Sequence, residues 1–553
     1  MKHRTQSWIT QGSPWVWLTA GMVSVSLVMV LGLLGLIGAR GLGHFWPKPV
    51  LEADYLEPGG GHSHIIGQVV DEEEISAQAL LDLGQKPPRQ EGVVRRLLVK
   101  SGNRRVAPPD FRWVYADGLT GVQHAPELMV VERHQWGDFI GRLTGLKEHG
   151  EPVATPDLWA EYQRRIARAE ALYRRIRAIE KDEIGAINYR IERLRLERRR
   201  LELDGVRDPD AFADIEERKQ AAQREYQALS RELADLRREA GRDTYTARIA
   251  DGREVEQPVA EVVRAYRPNA MGLTDKLTFY LAKLHEFVFD EPREANTEGG
   301  VFPALFGTVL MVMLMSLIVT PFGVVAAVYL REYATQNWFT RAVRIAVNNL
   351  AGVPSIVFGV FGLGFFVYTV GERVDHAFFP EALPAPTFGT PGLLWASLTL
   401  ALLTVPVVIV ATEEGLTRIP NAFREGSLAL GATKAETLWR IILPMSTPAI
   451  MTGMILAIAR AAGEVAPLML VGVVKLAPSL PLDGNFPYLH LERKFMHLGF
   501  HIYDVGFQSP NVEAARPLVY ATSLLLVLIV VALNLAAIRI RNRLEDKYHA
   551  AEH

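Results

Sequence analysis

The sequence predicts a mostly α-helical protein that crosses a membrane six times and carries a water-soluble α+β insertion between its first two spans. Three observations predict this class. Six apolar runs are each long enough for a bilayer-crossing helix at about 1.5 Å per residue. The stretch 40–298 between the first two runs is instead rich in Arg, Glu and Asp. Basic residues gather on alternate connections between the runs, as expected when these face the cytoplasm. The hydrophobic fraction of 49% and the net charge of -2 therefore average two unlike parts of a 553-residue chain, too long for one ordinary domain. No basic excess points to nucleic acid as a partner. Cysteine is absent, which excludes disulfides, thiolate metal sites and thiolate nucleophiles.

The first run, 16–39, follows a head (1–15) carrying Lys2, His3 and Arg4. It exceeds the roughly 7–15 residues of a secretory signal core, so it reads as an uncleaved anchor, with Ile37-Gly38-Ala39 leaving a cleaved signal as the alternative. Five further runs are predicted at about 302–330, 343–370, 391–412, 447–474 and 517–540. An even number of spans puts both ends on one side. Lys2 and Arg4, then Arg331, Arg341 and Arg344, then Arg418, Arg424, Lys434 and Arg440, and finally Arg539, Arg541, Arg543 and Lys547 mark that side as cytoplasmic, together with the tail 544–553. The loop 371–390 carries only Arg373, although the longer loop 475–516 carries four basic residues. The insertion then lies on the outer side. Pro321, Pro354, Pro406 and Pro467, with Gly359, Gly362 and Gly364, mark breaks or close packing within the spans. Met311, Met313 and Met315 read as lipid-facing or packing side chains.

Within the insertion, Leu158, Tyr162, Ile166, Ala169, Leu172, Ile176, Ile179, Ile187, Ile191 and Leu194 recur at three- and four-residue steps, predicting a helix over about 158–204. Asp204-Gly205-Val206-Arg207-Asp208-Pro209 breaks it, and Ile215, Ala222, Tyr226, Leu229, Leu233 and Leu236 mark a second run. The pair, about 158–240, is expected to fold back as an antiparallel coiled-coil hairpin whose interleaved Arg and Glu form a solvated face. Val93–Val99, Phe111–Tyr115 and the alternating 245–255, turning at Asp251-Gly252, read as strands of a small α+β platform. The stretch Gly59-Gly60-Gly61-His62-Ser63-His64 reads as a flexible loop rather than a metal site, since no further ligand lies close in sequence. No metal or cofactor is expected anywhere.

Two places carry functional signal. The connection 420–444 contains a short helix from near Asn421, small residues Gly426, Ser427 and Ala429 that permit close approach, a glycine stop at Gly431, and a second helix expected to end at Leu443-Pro444. In the fifth run, Arg460 and Glu464 lie four apart, one helical turn, in apolar surroundings. A charge at mid-bilayer costs at least about 2.5–3.5 kcal/mol, so the two should face each other, another subunit or a wet cavity. A guanidinium can hold an anion through paired donors and a neighbouring carboxylate weakens that hold, whereas the alternative is a permanent ion pair that fixes packing.

The segment 420–444 resembles the EAA loop of ABC importer permeases. Glu425, Gly426, Ser427, Gly431, Ile441, Leu443 and Pro444 occupy the motif positions, with Gly426 and Ser427 standing for the usual paired alanines. The region 299–543 is similar throughout to the PstA permeases of phosphate importers. Gly299-Gly300 through Gly307-Thr308, Leu350 through Pro354-Ser355 to Gly359, and Ala457 through Arg460, Glu464 and Pro467 to Leu468 carry the likeness. The long insertion departs from the short form of that family. The resemblance implies a type I ABC importer permease fold, with Glu425 to Pro444 coupling to an ATPase and Arg460 and Glu464 on the translocation route. It further implies a PstC-type permease as heterodimer partner, two copies of a PstB-type ATPase, a periplasmic phosphate-binding protein, and inorganic phosphate as cargo. No G-x-x-x-x-G-K-[ST] sequence occurs, so the chain is expected to be a transport subunit rather than an enzyme. Another oxyanion such as sulfate, molybdate or tungstate, or a signalling or tethering role for the hairpin, are the alternatives.

Overall fold

A computed structural model describes residues 13–89, 91–509 and 512–549. Lys2 and Arg4 of the head and the last residues of the tail fall outside them. Among the described residues, six helices are long and apolar enough to cross a bilayer: Trp15–Gly43, Phe302–Tyr333, Ser355–Phe378, Leu393–Arg418, Lys434–Gly463 and Ala515–Arg543. The fourth is the hub, with Leu393, Ala396, Leu400, Leu403 and Val408 packed against Met311, Met315 and Val319 of the second and Ala457 and Ala461 of the fifth. Met311 and Met315 are thus core, while Met313 is exposed. Buried hydroxyls in these helices bond back to their own turn: Thr308 to Ala304 O, Thr399 to Trp395 O and Thr404 to Leu400 O, at 2.7–2.8 Å. The first span is exposed along its length and packs on the sixth, where a Cβ on Gly41 would stand 3.0 Å from the Ala521 backbone.

Two span boundaries differ from the sequence expectation. The run predicted at 343–370 is two elements, an amphipathic helix Trp338–Leu350 and a span opening at Ser355. Pro354 is the reason, because the residue before a proline is pushed out of the α region. The fifth span runs Lys434–Gly463, earlier at both ends than 447–474. It passes through Leu443-Pro444 instead of stopping there. Leu443 N–H donates to Leu438 O in a widened five-residue turn, Leu438–Ile442, and this turn accommodates a proline that has no N–H to give.

The insertion is larger than a small platform. One antiparallel sheet has the spatial order Phe111–Tyr115, Val93–Lys100, His62–Ser76, Val50–Leu56, Leu119–Gln123. A second runs Glu254–Pro258, Asp243–Arg248, Phe139–Glu148, Leu128–Arg133, Val262–Tyr266, with Glu151–Pro152 paired to Phe139–Glu148. The sheets meet through Val50, Ile66, Leu128, Val130 and Ile140. The expected loop at His62 and His64 is corrected: Gly60, at φ +87°, closes a hairpin, and both histidines open a strand. There the His64 ring bridges Glu52 (3.1 Å) and Asp54 (2.9 Å) of the adjacent strand, and the hydrogen bond to Asp54, with that to Glu52, raises its pKa against burial. Among the described residues no group of three or more His, Asp or Glu side chains is arranged to hold a metal.

The arm ascends as Leu158–Ala178, a five-residue π turn Ile179–Glu183 and Ile184–Leu203, and returns as Pro209–Ala240, with Asp208 capping the return and Pro209 in its first turn. Ile187 and Leu194 are buried on one limb, Ile215 and Ala222 on the other. The pairs Arg190–Glu225 (2.6 Å) and Arg218–Glu197 (3.0 Å) run in opposite chain directions, as a hairpin requires. A helix Leu273–Phe289, the bridging helix below, links the second sheet to the second span. On it Glu286, almost fully buried, receives Arg293 (2.6 Å), Lys283 (3.2 Å) and Arg264 (3.3 Å).

Candidate functional site

The connection after the fourth span is built as an elbow. Its first limb is Asn421–Ala429; Gly431, at φ +88°, turns the chain, a conformation that disfavours any residue with a Cβ. The second limb starts at Thr433, whose hydroxyl accepts from Glu436 N–H (3.2 Å) while the Glu436 carboxylate accepts from Thr433 N–H (2.9 Å), a capping box. The limbs are locked by a buried hydroxyl pair, Ser427 and Thr437, at 2.8 Å. Beneath them Leu416, Ile419, Leu438 and Ile442 form a small core against the ends of the fourth and fifth spans, with Ile441 partly buried beside it.

This elbow is also tied to the second span. Arg424 donates to Glu332 at 2.8 Å and to the carbonyls of Leu416 (2.9 Å) and Ile419 (2.8 Å), and Lys434 reaches Glu332 O and stands over the Tyr333 ring. Sequence reasoning missed Arg424 and Glu332 as a pair, since 92 residues separate them; the only local signal was a basic residue inside the elbow helix. Glu425 points outward and is exposed, and a Cβ on Gly426 would meet nothing within 4 Å. Leu430 and Trp439 are exposed by 90% and 75%. The elbow is therefore rigid inwardly, through its hydroxyl pair and Arg424, and bare outwardly along a strip of glycine, leucine and tryptophan. Leu443 and Pro444 belong to the continuing fifth span rather than to a helix stop.

Arg460 and Glu464 are brought together, but at the end of a helix rather than within one. The helix ends at Gly463, and Glu464 has extended backbone. Pro467, three residues on, lies in the turn that opens a short helix Leu468–Val471, where Val465 O accepts from Leu468 N–H (3.0 Å) and Met469 N–H (3.2 Å). Arg460 Nε stands 3.7 Å from Glu464 Oε1, an ion pair with both side chains partly exposed. The break is held by glycines of the third span: a Cβ on Gly359 would lie 2.7 Å from Pro467 Cα, and one on Gly362 would lie 2.3 Å from the Thr399 hydroxyl and 3.0 Å from Val471. Gly364 has no such neighbour. A guanidinium beside a broken helix, with the carboxylate too far for a tight bond, is a group free to exchange its partner for another anion. A cavity of about 560 Å³ lies elsewhere, between the insertion and the spans; its walls carry Lys48, Lys100 and Lys283 but also Glu132, Asp138 and Glu286, so it has no net positive character for an oxyanion.

Comparison with known proteins places this architecture. Residues 319–549 match the family described as binding-protein-dependent transport system inner membrane component. The phosphate transport system permease protein PstA 1 of Mycobacterium tuberculosis is 36% identical over 247 residues, covering 44% of this chain and 71% of that protein. The phosphate transport system permease protein PstA of Yersinia pestis is 35% identical over the same length, covering 74% of itself. PstC of Xylella fastidiosa is 31% identical over 209 residues, covering 36% of this chain and 64% of that protein. Among solved structures, an inward-facing MetNI methionine ABC transporter is 22% identical, with a TM-score of 0.32, covering 44% of this chain and 94% of the matched one.

Proposed function

We propose, from the premise that this chain belongs to the PstA-type permeases of binding-protein-dependent transport systems, that it is a membrane-spanning subunit of an ATP-driven phosphate importer. The single observation that carries the reading is the elbow 420–444, braced against two spans by Arg424 and the Ser427–Thr437 pair and bare on its far side. A surface of this kind suits a subunit that pushes. Two copies of a PstB-type ATPase dock beneath this chain and a PstC-type partner, with Glu425, Gly426 and Gly431 at the contact and Ser427 locking the two limbs behind it. Closure of the ATPases moves the elbow, and Ile441, Leu443 and Pro444 carry the displacement directly into the fifth span, because the helix does not stop there. At the other end of that span, Arg460 takes phosphate delivered by a periplasmic binding protein, and Glu464 competes for the guanidinium and favours release. In this scheme both termini are cytoplasmic and the insertion is periplasmic.

Uptake of labelled phosphate in a deletion strain tests the scheme. Arg460→Ala should lower uptake at least about tenfold, the effect of removing a charge-assisted contact of about 1.4 kcal/mol or more, and Glu464→Gln should lower it by leaving phosphate held on Arg460 without a competitor to favour release. Undiminished uptake in both variants would refute the pathway assignment, and uptake of labelled sulfate in place of phosphate would change the cargo. A cysteine crosslinker at position 425 or 430 that never captures an ATPase in native membranes would refute the docking of the elbow.

A further inference from the structure

The bridging helix Leu273–Phe289 is held from two directions and left bare in a third. Towards the sheets, the Phe279 ring packs on Tyr266 at 4.5 Å and Lys283 reaches Glu132 at 2.9 Å. On an adjoining side, Tyr280, Leu284, Phe287 and Val288 join Phe45, Val301, Ala304 and Leu305 at the tops of the spans. The Phe45 and Phe287 rings are 5.0 Å apart, those of Trp46 and Tyr280 5.8 Å. These contacts fix the height of the helix. Phe45 follows the last turn of the first span, Phe302 opens the second, and Val301 N–H donates to Phe287 O at 2.8 Å. The C-terminal end therefore stands at the membrane–water boundary.

The N-terminal half continues the same apolar edge with no protein beneath it. Leu273, Leu277 and Leu281, spaced at i, i+4 and i+8, are 77%, 52% and 58% exposed. At about 100° per residue they extend the row of Tyr280 and Leu284, away from the side that Phe279, Lys283 and Glu286 turn to the sheets. Thr274 and Thr278 border them, and Asp275 and Ala282 lie on the opposite side of the helix. Trp46, part-exposed just beyond the first span, meets the same surface at Tyr280, and Leu42 is exposed one turn before it. The strip is thus continuous with a span whose apolar side chains must contact acyl chains.

We infer that the bridging helix is an interfacial anchor, its Leu273–Leu277–Leu281 edge immersed in the bilayer leaflet on the insertion's side. Continuity with a lipid-facing span selects lipid over a soluble partner, because headgroups already occupy the level at which the edge lies. The anchor gives the two sheets a second attachment to the membrane besides the chain connections, so the bilayer sets the tilt of the arm.

The chain contains no cysteine, so single labels can be placed without a background. Leu273→Cys, Leu277→Cys and Leu281→Cys are made in the full chain, purified with the subunits that accompany it, nitroxide-labelled and reconstituted into phosphatidylethanolamine–phosphatidylglycerol vesicles. Leu203→Cys on the arm serves as the aqueous reference and Leu36→Cys in the first span as the lipid reference. Accessibility to oxygen and to a water-soluble nickel chelate should place positions 277 and 281 about 5–10 Å below the headgroup boundary, with the pattern of Leu36→Cys. The pattern of Leu203→Cys at all three positions would overturn the inference by showing water. Shielding from both reagents would overturn it by showing a protein partner. Thr274→Cys and Thr278→Cys give the same readout if a leucine variant fails to elute as folded protein.

Discussion

The membrane core and the insertion solve opposite solvent problems within one chain. In the core, apolar side chains lie both inside and on the outward surface, and buried hydroxyls such as those of Thr308, Thr399 and Thr404 return to their own helices. Close approach there comes from glycines, with Gly359 against Pro467 and Gly307 against the Met496 carbonyl. In the insertion the apolar residues are inside and the surface is ionic, from Arg190–Glu225 on the arm to Arg96–Glu73 across two strands. Where the regions meet, neither solution is complete: Glu286 and Glu132 are buried with Lys283, Arg264 and Arg293 between sheet and span. Charge is thus dispensable where water reaches it and decisive where it does not.

That contrast orders the expected effects of substitution. Glu286→Ala should be the most damaging, by up to about 3–5 kcal/mol, because it removes the buried carboxylate that the part-buried Arg293, Lys283 and Arg264 share; a thermal melt followed by proteolysis of the insertion reads it, and a shift no larger than that of a surface variant would contradict the burial argument. Gly359→Ala should cost about 1–3 kcal/mol through overpacking on Pro467, whereas Gly364→Ala, with open space around it, should be silent. Detergent stability of the two variants compares them directly. Thr433→Ala removes the cap of the second elbow limb and should cost about 1 kcal/mol. Arg218→Ala, on the water-exposed arm, should change stability by about 0–1 kcal/mol, and that little should vanish in high salt.

The junction also predicts a pH response. Burial, then the neighbouring Asp138 carboxylate, pushes Glu298 up to about 8 from an ordinary value of 4.5, and Lys100 only partly offsets them. The folded state therefore holds this proton more tightly than the unfolded chain. The stability it contributes is complete below about pH 4.5 and is lost as pH rises through about 8. Glu298→Gln should flatten the melting temperature of the insertion across that window; an unchanged slope would place the response in other groups.

Legibility differed between the regions for the same reason that their chemistry does. Six spans, the arm hairpin and the elbow glycine at Gly431 were readable from windows of one helix or one turn. The strand His62–Ser76 was not, because Asp71-Glu72-Glu73-Glu74 looks like solvent-exposed loop until Arg95 and Arg96 of the next strand stand opposite. The elbow's position was readable, its brace was not: Arg424 acquires meaning only beside Glu332. Arg460 and Glu464 were legible as a pair one turn apart, yet the helix end between them depends on how Pro467 seats against Gly359.

The sequence by itself determined the number of spans, the alternation of charge along their connections and the kinship of the elbow, since hydrophobic length and turn chemistry are properties of about twenty consecutive residues. Only the tertiary structure decided where the third and fifth spans begin and end, which carboxylates are buried at the junction, and which edge of the bridging helix is left without protein. Those outcomes rest on contacts between residues far apart in the chain, whose energies no local window contains.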